Sequence, residues 1–575
     1  MSATTQARPA AATPPAPILP TAPTTPVGRS PHGSLPPRGL ERATQSDLPV
    51  GRFGRMFRNL PVYQHRRETL IELGRLMIEP APVAPDRMDE PLGTEDADEN
   101  VAQLAGKLRL PAGYTYFGQF VDHDITFDPV SSLTRQNDPD GLTNFRTPRY
   151  DLDSLYGRGP SDQPYLYDGD GLHLLTGQRV DTDDRFAGPD LLRVPADATT
   201  DGSRRALIGD PRNDENLIVS QLQSTMLRFH NKVVDYLGPR HRQLSKDDVL
   251  KLAQKTVRWH YQWVVVHDFL VRLVGESVIA DILHRDSYAI PSGRDGHLTF
   301  YTPKLRFYHW KNTPFMPVEF SVAAYRYGHS MVRPSYLIND FAKTAPELPD
   351  VHRIRIFRHG GTQFQSLNGF RPLPPKWGVQ WKFFLDGIDD EPGENDRHLP
   401  QPSYKIDAEL VNPLGELTDA TAAPEELTPG GPPNLAQILA VRNLLRGLEL
   451  GVPSGQEIAR AMGLLPLTDQ QLVTDQVGGP LTAAAKADLA GNAPLWYYVL
   501  KEAEVLADGA HLGPVGGRIV AEVLIGLLVG DPLSYINVAP GWRPDLPGAA
   551  TPGHYTLSDL VNFANAPRDP FTFGA

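Results

Sequence analysis

From Asn216 onward the chain repeats the spacing of a helix. Leu222, Met226, Phe229 and Val233 recur at intervals that place side chains on one helical face, in a run from Asn216 to Leu237. Ser245 with Asp248 makes an N-cap start for a long helix reaching about Leu273. Another helix is expected from near Val318 through Tyr325 to Met331, ending before Pro334 because proline restricts the residue that precedes it. Asn434 opens a helix whose apolar residues are Leu435, Ile438, Leu439 and Leu445, and Ser454 with Glu457 predicts a capping box for a short one. Val515 to Val529 reads as a buried helix, and Thr556 to Ala564 as the last. The pattern predicts a mainly α fold with very little β.

Other stretches lack this periodicity. Residues 128 to 215 are dense in Asp, Gly and Pro and read as long ordered loops, which are unusual unless functional. Residues 287 to 317 read as irregular, residues 411 to 433 as a Pro/Gly/Thr-rich loop, and Asp86 to Asn100 as an acidic surface loop. Residues 1 to 45 are rich in Pro, Ala and Thr, bury too little apolar surface to offset their ordering entropy, and are expected to be disordered. No internal repeat and no later linker appears, so residues 46 to 575 are expected to form one large domain.

Bulk chemistry excludes several functions. A net charge of -12 argues against duplex nucleic acid and against a polybasic membrane contact. The chain has no cysteine, which removes disulfides, thiolate metal sites and cysteine nucleophiles. That fits a reducing cytoplasm. The N-terminal segment lacks the charged start, apolar run and cleavage pattern of a secretory signal, so the expectation is a cytoplasmic or leaderless-exported protein. The most apolar stretch, Ile519 to Val529, contains Glu522 and is too short to span a bilayer.

The densest chemistry lies in Tyr114 to Asp128. Its centre is Gly118-Gln119-Phe120-Val121-Asp122-His123-Asp124, a histidine between two carboxylates. Helical neighbours sit about 100° apart, so the three side chains point three ways and one segment can serve three partners. A helix end with a polar patch is the plainer reading of this segment taken alone. Three later segments join it: Gly209-Asp-Pro-Arg212-Asn-Asp-Glu215-Asn216, Tyr325-Arg326-Tyr327-Gly328-His329 and Asn443-Leu-Leu-Arg446. His230, His260 and His267 have no paired-ligand spacing and read as structural.

In this order and approximate spacing, the four segments resemble the animal-type haem peroxidases of the peroxidase–cyclooxygenase superfamily. The resemblance covers roughly residues 50 to 565. It implies a haem b cofactor, hydrogen peroxide as oxidant and a halide, thiocyanate or small aromatic electron donor. His329 is then the proximal iron ligand. Asn443 accepts the hydrogen bond from its other ring nitrogen, and Arg326 and Arg446 lie near the haem propionates. His123 is the distal base, Arg212 stabilises charge on the departing oxygen, and Gln119 holds water and peroxide. Asp122 and Glu215 match carboxylates that esterify haem methyl groups in mammalian members; a free carboxylate at the haem edge is the alternative. Asn216 stands where myeloperoxidase has the methionine of a third link, so that link is expected to be absent.

The same resemblance implies a calcium site formed by Asp124 and the loop Thr147-Pro-Arg149-Tyr-Asp151-Leu-Asp153. Asp153 replaces a family serine, and Arg149 contributes its main-chain carbonyl. A hard-oxygen set of this kind suits Ca2+, which takes six to eight oxygens. Two rivals stand beside the peroxidase. One is a fatty-acid dioxygenase of the same superfamily, which places a radical-carrying tyrosine where this chain has Arg326. The other is a haem-free calcium-binding scaffold. Oligomeric state has no sequence signal.

Overall fold

The computed structural model describes residues 51–80, 110–128, 138–177, 189–195, 204–289, 297–341, 353–357, 366–388, 400–417 and 435–566. The N-terminal Pro/Ala/Thr segment, the acidic stretch 86–100 and Asn434 lie outside them. The described chain is mainly helical. Its longer helices are α1 (Arg67–Leu76), α2 (Ala112–Ile125), α3 (Leu217–Leu237), α4 (Lys246–Val264), α5 (Leu439–Glu449), α6 (Leu495–Ala507), α7 (Pro514–Gly530) and α8 (Leu557–Asn565). No helix among the described residues is long and apolar enough to cross a membrane.

Helix starts follow local chemistry. Asn216 caps α3 by accepting from the Val219 N–H at 2.9 Å, and Ser245 caps α4 through the Asp248 N–H at 3.2 Å. Thr556 and Asp559 form a reciprocal capping box on α8. At α7 the buried Glu502 carboxylate accepts from the Val515 and Gly516 N–H groups, an anion on unsatisfied helix donors. Ser454 accepts from the Glu457 N–H at 3.3 Å, but the Glu457 carboxylate goes to Arg460 instead of returning, so only half of the predicted box forms.

Two helix predictions need correction. The segment after α4 continues as a π turn, Val265–Phe269, before resuming helix at Leu270–Val274. That turn carries Asp268, which accepts from Tyr114 Oη of α2 at 2.7 Å and from the Leu557 N–H of α8 at 2.8 Å. The segment from Val318 to Met331 is not one helix. A single turn, Val318–Ser321, is broken at Ala323 (φ -132°, ψ -84°) and followed by a 3-10 turn, Ala324–His329. Buried Glu319 in that first turn accepts from the Met56 and Phe57 N–H groups.

β structure is slight. β1 (Gly51–Gly54) pairs antiparallel with β2 (Thr143–Asn144). The stretch expected to be irregular contains a hairpin, β3 (Leu283–Ala289) against β4 (His297–Pro303), antiparallel. The β-branched and aromatic residues Thr299, Phe300, Tyr301 and Thr302 are the strand signal that the flanking Pro and Gly obscured. β5 (Met316–Pro317) pairs parallel with β1.

The helices share one core. α1 lies so close to α5 that a Cβ at Gly74 would stand 2.7 Å from the Val441 nitrogen. α2 runs through this core against α3 and the Ala324–His329 turn. Tyr325 Oη donates to the Gly118 carbonyl at 3.3 Å, and Trp496 Nε1 of α6 donates to the Arg326 carbonyl at 3.1 Å. Those bonds fix the His329 turn relative to the helix that carries His123.

Candidate active site

Almost all of α2 is buried; Gln119 and Asp122, one turn apart, are the exceptions. Glu215, Arg326, Gly328 and His329 are likewise partly accessible among buried neighbours. A Cβ built on Gly328 meets no atom within 4 Å. Three segments far apart in sequence thus carry partly accessible polar groups among buried neighbours.

His123 is buried, with its Nδ1 2.7 Å from Asn213 Oδ1. Its Nε2 lies 3.9 Å from Glu215 Oε1. Gln119 Nε2 donates to that same Glu215 oxygen, and Asn216 Nδ2 donates to Gln119 Oε1 at 3.3 Å. Burial and then the Arg212 charge push the His123 imidazole below its ordinary pKa, against Glu215, Asp210 and Asp122.

Arg212 is buried, 4.5 Å above the Phe127 ring. Its Nη2 donates to the main-chain carbonyl of His123 at 2.7 Å and to Asp210 Oδ2 at 2.7 Å; Nε donates to Asp210 Oδ1 at 3.1 Å. Nη1 is the guanidinium nitrogen left unengaged by Asp210 and residue 123. Asp210 is fully buried and also receives Arg146 Nε at 3.0 Å. Burial alone would raise its carboxyl, but Arg146 and Arg212 outweigh burial and hold it well below the usual range.

His329 Nδ1 lies 2.8 Å from Asn443 Nδ2. Arg326 Nη1 donates to Asn443 Oδ1 at 2.7 Å, and Arg326 Nε donates to the Ser321 carbonyl at 3.1 Å. The expectation that Asn443 accepts from His329 is therefore corrected. A guanidinium can only donate, so it claims the amide oxygen and leaves the amide nitrogen facing the ring. Burial, followed by Arg326 and Arg442, lowers the His329 pKa to about 3, with Glu215 opposing. Burial and the neighbouring Arg446 lower Arg326 to about 9. Arg446 itself pairs with Asp128 at 3.4 Å. Asp122 Oδ1 accepts from Thr126 Oγ1 at 3.0 Å.

A second cluster lies on the buried side of α2. Asp124, Asp151 and Asp153 each bring a carboxylate oxygen within 4.8 Å of the others. Asp124 is fully buried, and among the described residues neither of its oxygens has a partner at good hydrogen-bond geometry, though the Leu152 N–H and Tyr261 hydroxyl lie near enough to act on it. Burial, then Asp151 and Asp153, push its pKa well up; burial pushes Asp153 up to about 7. An unpaired buried carboxylate is costly, and a cation among the three removes that cost. Thr147 Oγ1 donates to Asp151 Oδ2, and the Arg149 N–H to the Thr147 carbonyl at 2.8 Å. Asp153 also accepts from Arg146 Nη1 at 2.7 Å, so the charge it adds in place of serine is partly offset.

A family model for animal haem peroxidase matches residues 131–370, a span that includes Arg212, Glu215 and His329. The chain is 23% identical to mouse (Mus musculus) thyroid peroxidase over 470 residues, 79% of this chain and 45% of that protein. That alignment carries the likeness well beyond the span of the family model. The chain is similar to the animal haem peroxidases over these spans. It spans less than half the length of thyroid peroxidase. Among solved structures, peroxidase A from Dictyostelium discoideum matches with a TM-score of 0.52 and 14% identity, covering 89% of this chain and 93% of that one. A fatty acid alpha-dioxygenase from Oryza sativa matches with a TM-score of 0.52 and 16% identity, covering 94% and 85%. Both share the fold.

The residues present fit the cofactor of that family. The open space beside Gly328 and the neutral His329 ring suit a metal-bound macrocycle next to that turn. His230, His260 and His267 are engaged in structural bonds, to Tyr156 Oη, the Thr256 carbonyl and Tyr535 Oη. Sequence reasoning did not single out Asn213, Asp210 or Arg146. Asp210 carried a signal, an acidic residue two positions before Arg212, but a buried bridge to Arg146 has no local signature.

Proposed function

We propose that this chain is a haem-dependent peroxidase that reduces hydrogen peroxide and oxidises a halide, thiocyanate or small aromatic donor. The supporting observation is the polar cluster that both histidines share. Glu215 stands 3.9 Å from His123 Nε2, and its charge also acts on His329. In this reading His329 would hold the haem iron through Nε2, with the Asn443 amide turned so that its oxygen accepts from Nδ1–H, and Arg326 and Arg446 would offset the propionate charges. Asp122 and Glu215 would meet the porphyrin as esters or as free carboxylates. Bound haem supplies the electron exchange with peroxide.

His123 Nε2 takes the first proton of peroxide and returns it to the departing oxygen. Its lowered pKa keeps it unprotonated for that task. Arg212 is fixed by Asp210 and offers Nη1 to the charge that develops on that oxygen. Gln119, bonded to Glu215, orients the oxidant. Asp124, Asp151 and Asp153, with Thr147 and the Arg149 carbonyl, bind Ca2+ one residue from the base.

The dioxygenase reading is weaker because Arg326, not tyrosine, stands three residues before His329. An absorption spectrum with a haem-to-protein ratio, followed by peroxide mixing and a donor panel, tests the proposal. A Soret band with peroxide-dependent donor oxidation supports it. A colourless calcium-loaded protein, or oxygen uptake with a fatty acid and none of the peroxidase turnover, rejects it.

A further inference from the structure

A histidine serves as a base only through a nitrogen that carries no hydrogen, and the bond made by its other nitrogen decides which one that is. The bonds behind His123 settle this from a group of fixed polarity. The Ser154 carbonyl can only accept. It accepts from the Gly209 N–H at 2.9 Å and from Gln223 Nε2 at 3.0 Å. Gln223 therefore turns its oxygen the other way, where Oε1 accepts from Asn213 Nδ2 at 2.8 Å. Asn213 in turn presents Oδ1 to His123 Nδ1 at 2.7 Å. An amide oxygen cannot donate, so Nδ1 carries the hydrogen and Nε2, toward Glu215, keeps its lone pair.

Ser154, Asn213 and Gln223 are fully or almost fully buried, so no solvent stands ready to replace a missing partner. Reversing either amide sets like against like along the relay. Ser154 follows Asp153, one of the three clustered carboxylates, so the same loop presents both the cation ligand and the anchor of the relay.

We propose that Asn213 and Gln223 are positioning residues that fix the ring tautomer of His123, anchored on the main chain of the cation loop. The proposal rests on the peroxidase reading for its catalytic meaning, but not for its geometry. Two-bond 15N–1H correlation spectra of [15N]histidine-labelled protein show which ring nitrogen carries the hydrogen. They are recorded on the ferrous carbon monoxide form where haem is present and directly where it is not, with His123→Gln assigning the resonance. Nδ1–H at His123 is the expected result, and Nε2–H overturns the proposal. A colourless protein that still shows Nδ1–H rejects the peroxidase reading alone.

The second readout is cyanide association, in which hydrogen cyanide gives its proton to a base as it binds. Asn213→Leu is expected to slow association about 10–100-fold at unchanged Soret absorbance, with Asn213→Asp restoring most of the rate. Equal rates in Asn213→Leu and wild type overturn the proposal. Should Asn213→Leu not fold, Gln223→Leu removes the oxygen that accepts from Asn213 Nδ2 and frees that amide to turn. Its His123 spectrum then decides: loss of the single Nδ1–H form supports the relay, and an unchanged form overturns it.

Discussion

The two histidines of the site have the same immediate partner and opposite polarity. His123 Nδ1 faces an asparagine oxygen at 2.7 Å, and His329 Nδ1 faces an asparagine nitrogen at 2.8 Å. What stands behind each amide makes the difference. Behind Asn213 the relay ends on a main-chain carbonyl, an acceptor held by the fold. Behind Asn443 stands Arg326, a donor on a long side chain. A ring nitrogen's role is thus set two residues away, and the distal setting has the more rigid anchor.

The largest expected effect is on the proximal side. His329→Ala removes the proposed iron ligand and is expected to abolish or grossly perturb the Soret band. Unchanged absorbance and turnover would break the assignment. His123→Ala is expected to retain haem yet slow the peroxide step by about 10²–10⁴-fold in stopped-flow mixing, the usual worth of a positioned acid–base group. A proximal variant that loses cofactor and a distal variant that loses only rate would establish the division between the two sides.

The pH response sharpens the same contrast. A histidine whose pKa lies below its ordinary 6.5 stays neutral as pH falls through that value. The wild-type peroxide step is therefore expected to hold its rate through pH 6.5 and decline at lower pH. Arg212→Ala removes the second cause of the His123 shift, so that decline should move to higher pH, on top of a slower rate. An acid limb that stays put would show that burial alone sets the base.

Cation removal tests the distal anchor. The carboxyls of Asp124 and Asp153 are raised in the cation-free fold, Asp153 to about 7. A group raised on folding binds more protons in the folded than in the unfolded state, so cation-free stability falls as pH rises from about 4 to 7. Ca2+ requires the deprotonated forms and reverses this trend. The melting-temperature gap between calcium-loaded and chelated protein is expected to widen over that window. A constant gap would place the ion elsewhere.

The smallest effect concerns polarity itself. Arg326→Leu releases the Asn443 oxygen from its competing donor, so that it accepts from His329 Nδ1–H alone and raises ring basicity. The iron reduction potential is expected to fall while haem stays bound, as spectroelectrochemistry would register. An unchanged potential would mean that Arg326 does not control the amide.

Sequence by itself determined the helical character of the chain and the residue types at the site. Apolar spacing marked α3, a capped start marked α4 and an apolar run marked α7, and caps such as Asn216, Ser245 and Thr556 are local bonds that two or three residues specify. The quartet His123, Arg212, His329 and Asn443 was legible as motifs because short stretches carry each piece. Tertiary structure alone decided which atoms meet. The sequence over Val318–Met331 suggested one helix, but the fold breaks it at Ala323 into two short turns. Arg146 bridges Asp153 and Asp210, and Gln223 joins Asn213 to Ser154, through contacts between residues distant in the chain. Hydrogen-bond polarity passes along such contacts, not along the backbone, so the state of a ring nitrogen is written in the packing.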